Sequence, residues 1–209
     1  MGKRGEQLRE HILYAAKEVF LEMGFERASM DVISVRAKTS KRTLYAHFEN
    51  KENLYLAVVE LSRRLYLLRL RHPADYADTP EEALVLFCGR FQETLLYAPL
   101  VGMCRVSIAE AERFPEGAAQ YFDVMFSEAE ARLRAYLEEM LELSPQVSAT
   151  AVQELLGRVT YPVFPRALFG LEKTFAKLPD TLSADYDLQP IRNAVAQLLH
   201  SLKTTPLEN

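Results

Sequence analysis

The chain has 209 residues, 49% of them hydrophobic, enough for a buried core and for either one large domain or a small one joined to a larger one. A net charge of −4 argues against indiscriminate binding to nucleic acid, and two cysteines with no Cys-x-x-Cys pair and no histidine at ligand spacing argue against a metal site. The charge is uneven: residues 1–48 hold nine Lys/Arg and six Asp/Glu (+3), whereas the other 161 hold sixteen and twenty-three (−7).

Residues 1–5 read as a flexible basic arm. From Glu6 to Met23, the residues Leu8, Ile12, Ala15, Ala16, Val19, Phe20 and Met23 recur at helical spacing, and Gly24 is a natural stop. Ser29 can cap a second short helix, Met30 to Ala37, buried through Val32, Ile33 and Ala37. Lys38-Thr39 then connect tightly to Ser40, the cap of a third helix ending at Phe48. Leu44 and Phe48 lie four apart and share one face. The remaining side chains from Lys41 to His47, apart from Ala46, are hydrogen-bond donors with no acid among them. Such a helix suits the major groove, whose walls are phosphate and whose floor is rich in acceptors. Two short helices joined by a turn, the second basic, form a helix-turn-helix.

The run Gly24-Phe25, Ser29, Asp31, Ile33, Ala37, Ser40, Thr43-Leu44-Tyr45, His47-Phe48, Lys51-Glu52 and Leu54-Tyr55 resembles the DNA-binding domain of the tetracycline-repressor (TetR) family. The similarity spans about the first 55 residues. It implies an all-α protein that binds a double-stranded DNA operator as a homodimer and responds to a small-molecule effector. DNA contacts are expected from Ser29, Met30, Lys38, Thr39, Ser40, Lys41, Arg42, Thr43, Tyr45, His47 and Lys51. One residue departs from the family pattern: Lys38 stands where a glycine is usual. Either the turn differs, or lysine tolerates a left-handed backbone there at a cost of about 1–2 kcal/mol.

Asn50 caps a long helix beginning at Lys51, with Leu54, Val58, Leu61, Leu65 and Leu68 as its apolar stripe and His72-Pro73 near its end. A lysine in a first helical turn opposes the helix dipole, which favours a role for Lys51 on a phosphate. The chain divides into a helix-turn-helix domain, 1–50, and a helical effector-binding and dimerisation domain, 51–209, of which 51–72 is the linking helix. After a linker from Pro73 to Asp78, Thr79-Pro80-Glu81-Glu82 offers an N-cap, a proline at the first helical position and a capping box. Helices are predicted over 80–97, 99–113, 116–142, 148–170 and 189–203. Pro162 and Pro165 predict either a kink or a break near Tyr161.

Aromatic residues and methionines concentrate in this body, and Phe87, Phe91, Met103, Phe122, Met125, Phe126, Tyr161 and Phe164 are the candidate effector contacts. Arg105 joins them as a partner for an anionic effector, although Glu110 or Glu112 would satisfy it equally. Two apolar helices close the chain, carrying Leu155, Leu156, Val159, Phe164, Leu168 and Phe169, then Ile191, Val195, Leu198, Leu199 and Leu202. They are the expected homodimer interface. Cys88 and Cys104 are expected to be small buried hydrophobes.

The four histidines are scattered, and there is neither a nucleophile–base pair nor a glycine-rich phosphate loop. No catalytic residue, metal or cofactor is expected. The charge-free stretch Thr94–Cys104 has eleven residues, too few for a bilayer, so no membrane association and a cytoplasmic location are expected. The competing reading is an all-helical carrier of hydrophobic small molecules, for which the basic helix 40–48 would have no use.

Overall fold

The computed structural model describes residues 3–204. Its order is α1 (Lys3–Arg27), α2 (Met30–Arg36), α3 (Lys41–Phe48), α4 (Lys51–Arg69), a 3-10 turn (Pro73–Asp75), α5 (Pro80–Leu95), α6 (Ala98–Ala109), α7 (Pro115–Phe122), a π-helical turn (Asp123–Ser127), α8 (Glu128–Leu141), α9 (Pro145–Thr160), α10 (Val163–Leu168) and α11 (Gln189–Thr204). Among the described residues, β structure amounts to one isolated bridge between Tyr97 and Phe175.

Several boundaries differ from the sequence expectation for local reasons. Lys3, Arg4 and Gly5 belong to α1 instead of a free arm, while Met1 and Gly2 lie outside the described residues. One glycine costs a helix only about 1 kcal/mol, and Glu6 in the first turn favours the N-terminal dipole. The helix predicted to reach 113 ends at Ala109, and the chain from Glu110 closes on itself, the Phe114 N–H donating to the Glu110 carbonyl at 2.7 Å. The span 116–142 carries a wide i→i+5 turn at Asp123–Ser127. The proline pair produces a break: α9 stops at Thr160, Pro162 has no N–H with which to continue it, and α10 restarts at Val163. The capping box does not form: the Thr79 side chain makes no cap bond, and the Glu82 carboxylate is held instead in a two-pronged pair with Arg192 at 2.5 and 2.8 Å. A capping box forms instead between His72 and Asp75.

Contacts divide the chain into two compact units. The first takes the residues up to Leu65 together with Pro99–Val124. Ile12, Ala16, Val19 and Phe20 of α1 are fully buried here, as are Ile33, Leu44, Leu54 and Val58. Phe20, Phe25, Tyr55 and Phe114 form an aromatic cluster with ring centroids 5.3–5.8 Å apart. The Tyr55 hydroxyl meets that of Ser107 at 2.6 Å, and Ser107 donates on to the Met103 carbonyl at 2.9 Å. Residues 99–124, read from sequence as part of the body, thus pack in the same unit as the helix-turn-helix.

The second unit comprises Tyr66–Ala98 and the chain from Met125 onward. Leu84, Phe87, Cys88, Phe91 and Leu95 of α5 are all fully buried, and α5 packs on α9 and α11. Arg90 and Glu93 form an ion pair at 2.6 Å with both side chains only 1% exposed. This pair also holds the segment leading into α11: Arg90 donates to the carbonyls of Pro179 at 2.6 Å and Thr181 at 3.2 Å, and Glu93 accepts from the N–H and hydroxyl of Ser183. Cys88 and Cys104 are buried and unpaired, and burial raises their thiols to about 12 and about 11, which keeps them protonated and inert.

Two predicted stripes change face. On α4, Leu54, Val58 and Leu61 are buried, but Leu68 is 78% exposed, and Tyr66 and Leu70 take the inner side. The predicted stripe repeats every seven residues, and a straight helix drifts about 20° per heptad from such a repeat. On α9 and α11, Leu155, Val159, Ile191, Val195 and Leu198 are buried within the protomer, so they are unavailable to a partner. The outward side of these two helices includes Gly157, Arg158, Ala196, Gln197 and His200.

Candidate nucleic-acid interface

Ser29 caps α2, its hydroxyl accepting from the Val32 N–H at 3.2 Å, and Ser40 caps α3 in the same way from Thr43 at 3.1 Å. Between the two helices the Thr39 N–H reaches the Ser34 carbonyl at 3.0 Å and the Lys38 N–H reaches that of Val35 at 3.1 Å. This nested pair is a Schellman ending, and its left-handed position falls on Lys38, with φ 48°. The turn is therefore the ordinary one, with lysine bearing a conformation that glycine would adopt freely. Lys38→Gly is expected to raise stability by about 1 kcal/mol, and a melting temperature unchanged or lowered would contradict it.

Leu44 and Phe48 anchor α3 inward at 0% and 4% exposure. Lys41, Arg42 and Tyr45 are exposed, with Thr43 and His47 half-buried beside them. Ser29, Lys38 and Ser40 are exposed as well, and Thr39 is half-buried, so α3 and the turn present one continuous face of donors. Lys41 is held 2.6 Å from Asp31 of α2, a pair exposed enough to give way to a phosphate.

Two of the expected contacts are elsewhere. Met30 is 6% exposed and belongs to the core beneath α2. Lys51 is turned inward: its ammonium donates to the carbonyls of Phe25 at 2.8 Å, Glu26 at 3.3 Å and Ala28 at 3.0 Å, and lies 4.3 Å from the Phe25 ring centroid. Gly24, at φ 74°, ends the long run of α1 and leaves these carbonyls without helical partners, so a lysine three donors strong closes them. The unfavourable dipole position of Lys51 is compensated by those carbonyls, with no phosphate needed.

The support behind this face was not visible as a pattern. Arg36 forms a two-pronged pair with Glu22 at 2.8 and 2.6 Å, bracing α2 on α1 and holding the Glu22 carboxyl below its usual range. The His11 ring nitrogen Nε2 meets the Ala37 carbonyl at 3.1 Å, and the Arg9 guanidinium lies over the Phe48 ring at 5.1 Å. All three partners are distant in sequence from α2 and α3, and a pairing of charges across the helices could have suggested only that of Arg36 with Glu22.

The candidate effector residues divide between the units. Met103, Arg105 and Phe122 belong to the first unit, where Arg105 is exposed and Phe122 is 60% exposed. Tyr161 is 72% exposed at the end of α9. These three cannot line an enclosed apolar pocket: the break at Pro162 turns Tyr161 outward, and α6 and α7 present Arg105 and Phe122 on their outer sides. Phe91, Phe126 and Phe164 do come together in the second unit, Phe126 lying edge-on to Phe91 at 6.5 Å and to Phe164 at 5.8 Å, while Phe87 and Met125 are fully buried elsewhere in the core of the same unit. Among the described residues there is no metal-binding group of acids, histidines and cysteines, and no helix long and apolar enough to cross a membrane.

Residues 12–58 match the family model for bacterial regulatory proteins of the tetR family, and residues 82–185 match that of the AefR-like transcriptional repressor C-terminal domain. The chain is 30% identical over 169 residues to the HTH-type transcriptional regulator UidR of Escherichia coli K12, a match covering 78% of this chain and 83% of UidR. Among solved structures it superposes on the flavonoid-responsive regulator FrrA with a TM-score of 0.76 at 26% identity, covering 94% of this chain and 97% of FrrA. A regulator from Mesorhizobium loti superposes with a TM-score of 0.78 at 20% identity, over 96% and 98% of the two chains.

Proposed function

The chain belongs to the TetR family of bacterial transcription regulators, and on that footing we propose that it grips a palindromic operator as a homodimer and lets go when a small apolar or amphipathic effector binds its second unit. The observation carrying this reading is the outward face of α3, where Lys41, Arg42 and Tyr45 stand free of the core while Leu44 and Phe48 fix the helix from behind. Ser29, Lys38, Thr39, Ser40, Thr43 and His47 complete the contact surface. The relatives are regulators, so the protein acts by binding, and it works in the cytoplasm, where DNA is. A carrier of hydrophobic molecules would leave the donor face without a purpose.

One such helix reads only a few base pairs, and a dimer places two of them about 34–36 Å apart on successive major grooves. The dimer uses the outer sides of α9 and α11 around Gly157, Ala196 and His200. A side chain built at Gly157 meets nothing within 4 Å, so the protomer itself has room for a large residue there. Gly157→Leu is therefore expected to leave the fold intact, even favouring the helix, while blocking close approach of a second copy. Sedimentation should show a dimer become a folded monomer; a dimer unchanged by the substitution, or a wild-type monomer at micromolar concentration, would contradict this interface.

The effector site is the cluster of Phe91, Phe126 and Phe164, whose rings suit a flat aromatic or aliphatic molecule better than a charged one. FrrA is by its name flavonoid-responsive, and a planar phenolic compound is a sensible first probe for this cluster. Release requires that the effector bind the DNA-free form better, with a coupling of about 1–3 kcal/mol. A library of apolar compounds should yield one that raises the melting temperature of the wild type and loses this effect in Phe126→Ala. Compounds that bind with no sensitivity to Phe126 would move the site elsewhere.

A further inference from the structure

Near the end of α4 the second unit holds a cleft of about 210 Å³ walled by Arg69, Arg71, Tyr76, Arg90, Asp180 and Thr181. Arg90 forms its fixed wall, 1% exposed and bonded through Nε to the Arg69 carbonyl at 3.2 Å besides its links to Glu93, Pro179 and Thr181. Arg69 uses Nη1 for the carbonyls of Leu178 and Pro179, and that same nitrogen lies 3.6 Å from Asp180, whose side chain is 97% exposed. Its Nε and Nη2 have no partner among the described residues, and neither does the whole guanidinium of Arg71. The Tyr76 oxygen accepts from the Arg71 N–H at 3.1 Å, yet the phenolic proton has no acceptor among the described residues, and burial raises the phenol so that this proton stays in place. Asp75, the other acid at the cleft, already receives the His72 N–H at 3.1 Å.

Unused donors of Arg69, Arg71 and Tyr76 thus line one small space in the acidic part of the chain, where Asp75 and Asp180 are the only carboxylates in its wall. Guanidinium forks match the flat two-oxygen edge of a carboxylate or phosphate. At about 30 Å³ per water the cleft holds roughly seven, which suits a short-chain acid or a phosphate and is smaller than the 300–1,000 Å³ of an ordinary ligand pocket. We propose that this cleft is a binding site for a small carboxylate- or phosphate-bearing anion, gripped by Arg71 and the free edge of Arg69 and oriented by the hydroxyls of Tyr76 and Thr181. It is separate from the aromatic cluster, and Tyr76 in its wall lies edge-on to the buried Phe87 at 6.1 Å.

The experiment titrates sodium succinate and, separately, sodium phosphate into the full-length protein by calorimetry, with sodium chloride at matched ionic strength as reference. No DNA is present, so the outcome is independent of the operator reading. Saturable binding of at least one anion is expected, with a dissociation constant below about 1 mM, and the arm that saturates identifies carboxylate or phosphate as the better occupant. Arg71→Gln should weaken it about tenfold or more and Tyr76→Phe by a smaller factor, whereas Arg64→Gln, the same loss of charge on the exposed side of α4, should leave it unchanged. Binding retained in Arg71→Gln, an equal loss in Arg64→Gln, or no saturable heat with either salt would overturn the proposal.

Discussion

Alanine at Lys41 or Tyr45 is expected to reduce operator affinity by about 5- to 150-fold each, the range of about 1–3 kcal/mol for a groove contact, while the melting temperature stays nearly constant. Both side chains project from α3 into solvent, Tyr45 at 46% exposure, so their removal opens no cavity. Exposed substitutions of this kind usually change stability by no more than about 0.5 kcal/mol. Leu44→Ala is the contrasting control. Leu44 is fully buried, so its truncation costs about 2–5 kcal/mol and should lower stability and DNA affinity together. Gel retardation beside thermal melting separates the two classes. A Tyr45→Ala protein that melts normally and binds DNA as before would show that α3 is an ordinary surface helix.

The largest loss of stability is expected at the buried pair. Arg90→Met leaves the Glu93 carboxylate 1% exposed without its cation, and strands the carbonyls of Arg69, Pro179 and Thr181. Removing one member of a buried pair costs about 3–5 kcal/mol. At about 2–4 °C per kcal/mol for a chain of this size, melting should fall by roughly 6–20 °C. The double replacement Arg90→Met/Glu93→Leu should recover part of that loss, because no lone charge stays buried. It should nevertheless leave residues 171–188 more open to proteases, since Ser183 and Pro179 lose their partners. Equal melting of the wild type and Arg90→Met would mean that the pair contributes nothing to holding that segment.

The outward donor face of α3 was legible because its determinants are local. Ser29 and Ser40 cap within three residues of themselves, and the inward pair Leu44–Phe48 is one turn apart. Lys38 was legible even as an irregularity, since a Schellman turn asks for one left-handed residue wherever it occurs. What sequence obscured depends on contacts between distant segments. Lys51 looked like a phosphate ligand because its three carbonyl partners come from Phe25, Glu26 and Ala28. Leu155, Val159, Ile191, Val195 and Leu198 looked like part of a dimer seam because helical spacing reveals a greasy stripe and not which neighbour covers it. Here α5 and the facing helix of the same chain do so. The aromatic list for the effector site was too broad for the same reason: Tyr161 and Phe122 have the right chemistry, but the break before α10 and the outward side of α7 leave them in solvent.

Selection of bound duplexes from a random pool, using the full-length protein, tests the central claim most directly. The account predicts one enriched inverted repeat, its half-sites centred a helical turn apart or a multiple of it, lost from the pool when Tyr45→Ala protein is used. Recovery of no shared sequence, or of a site lacking two-fold symmetry, would contradict a dimeric reader built on α3.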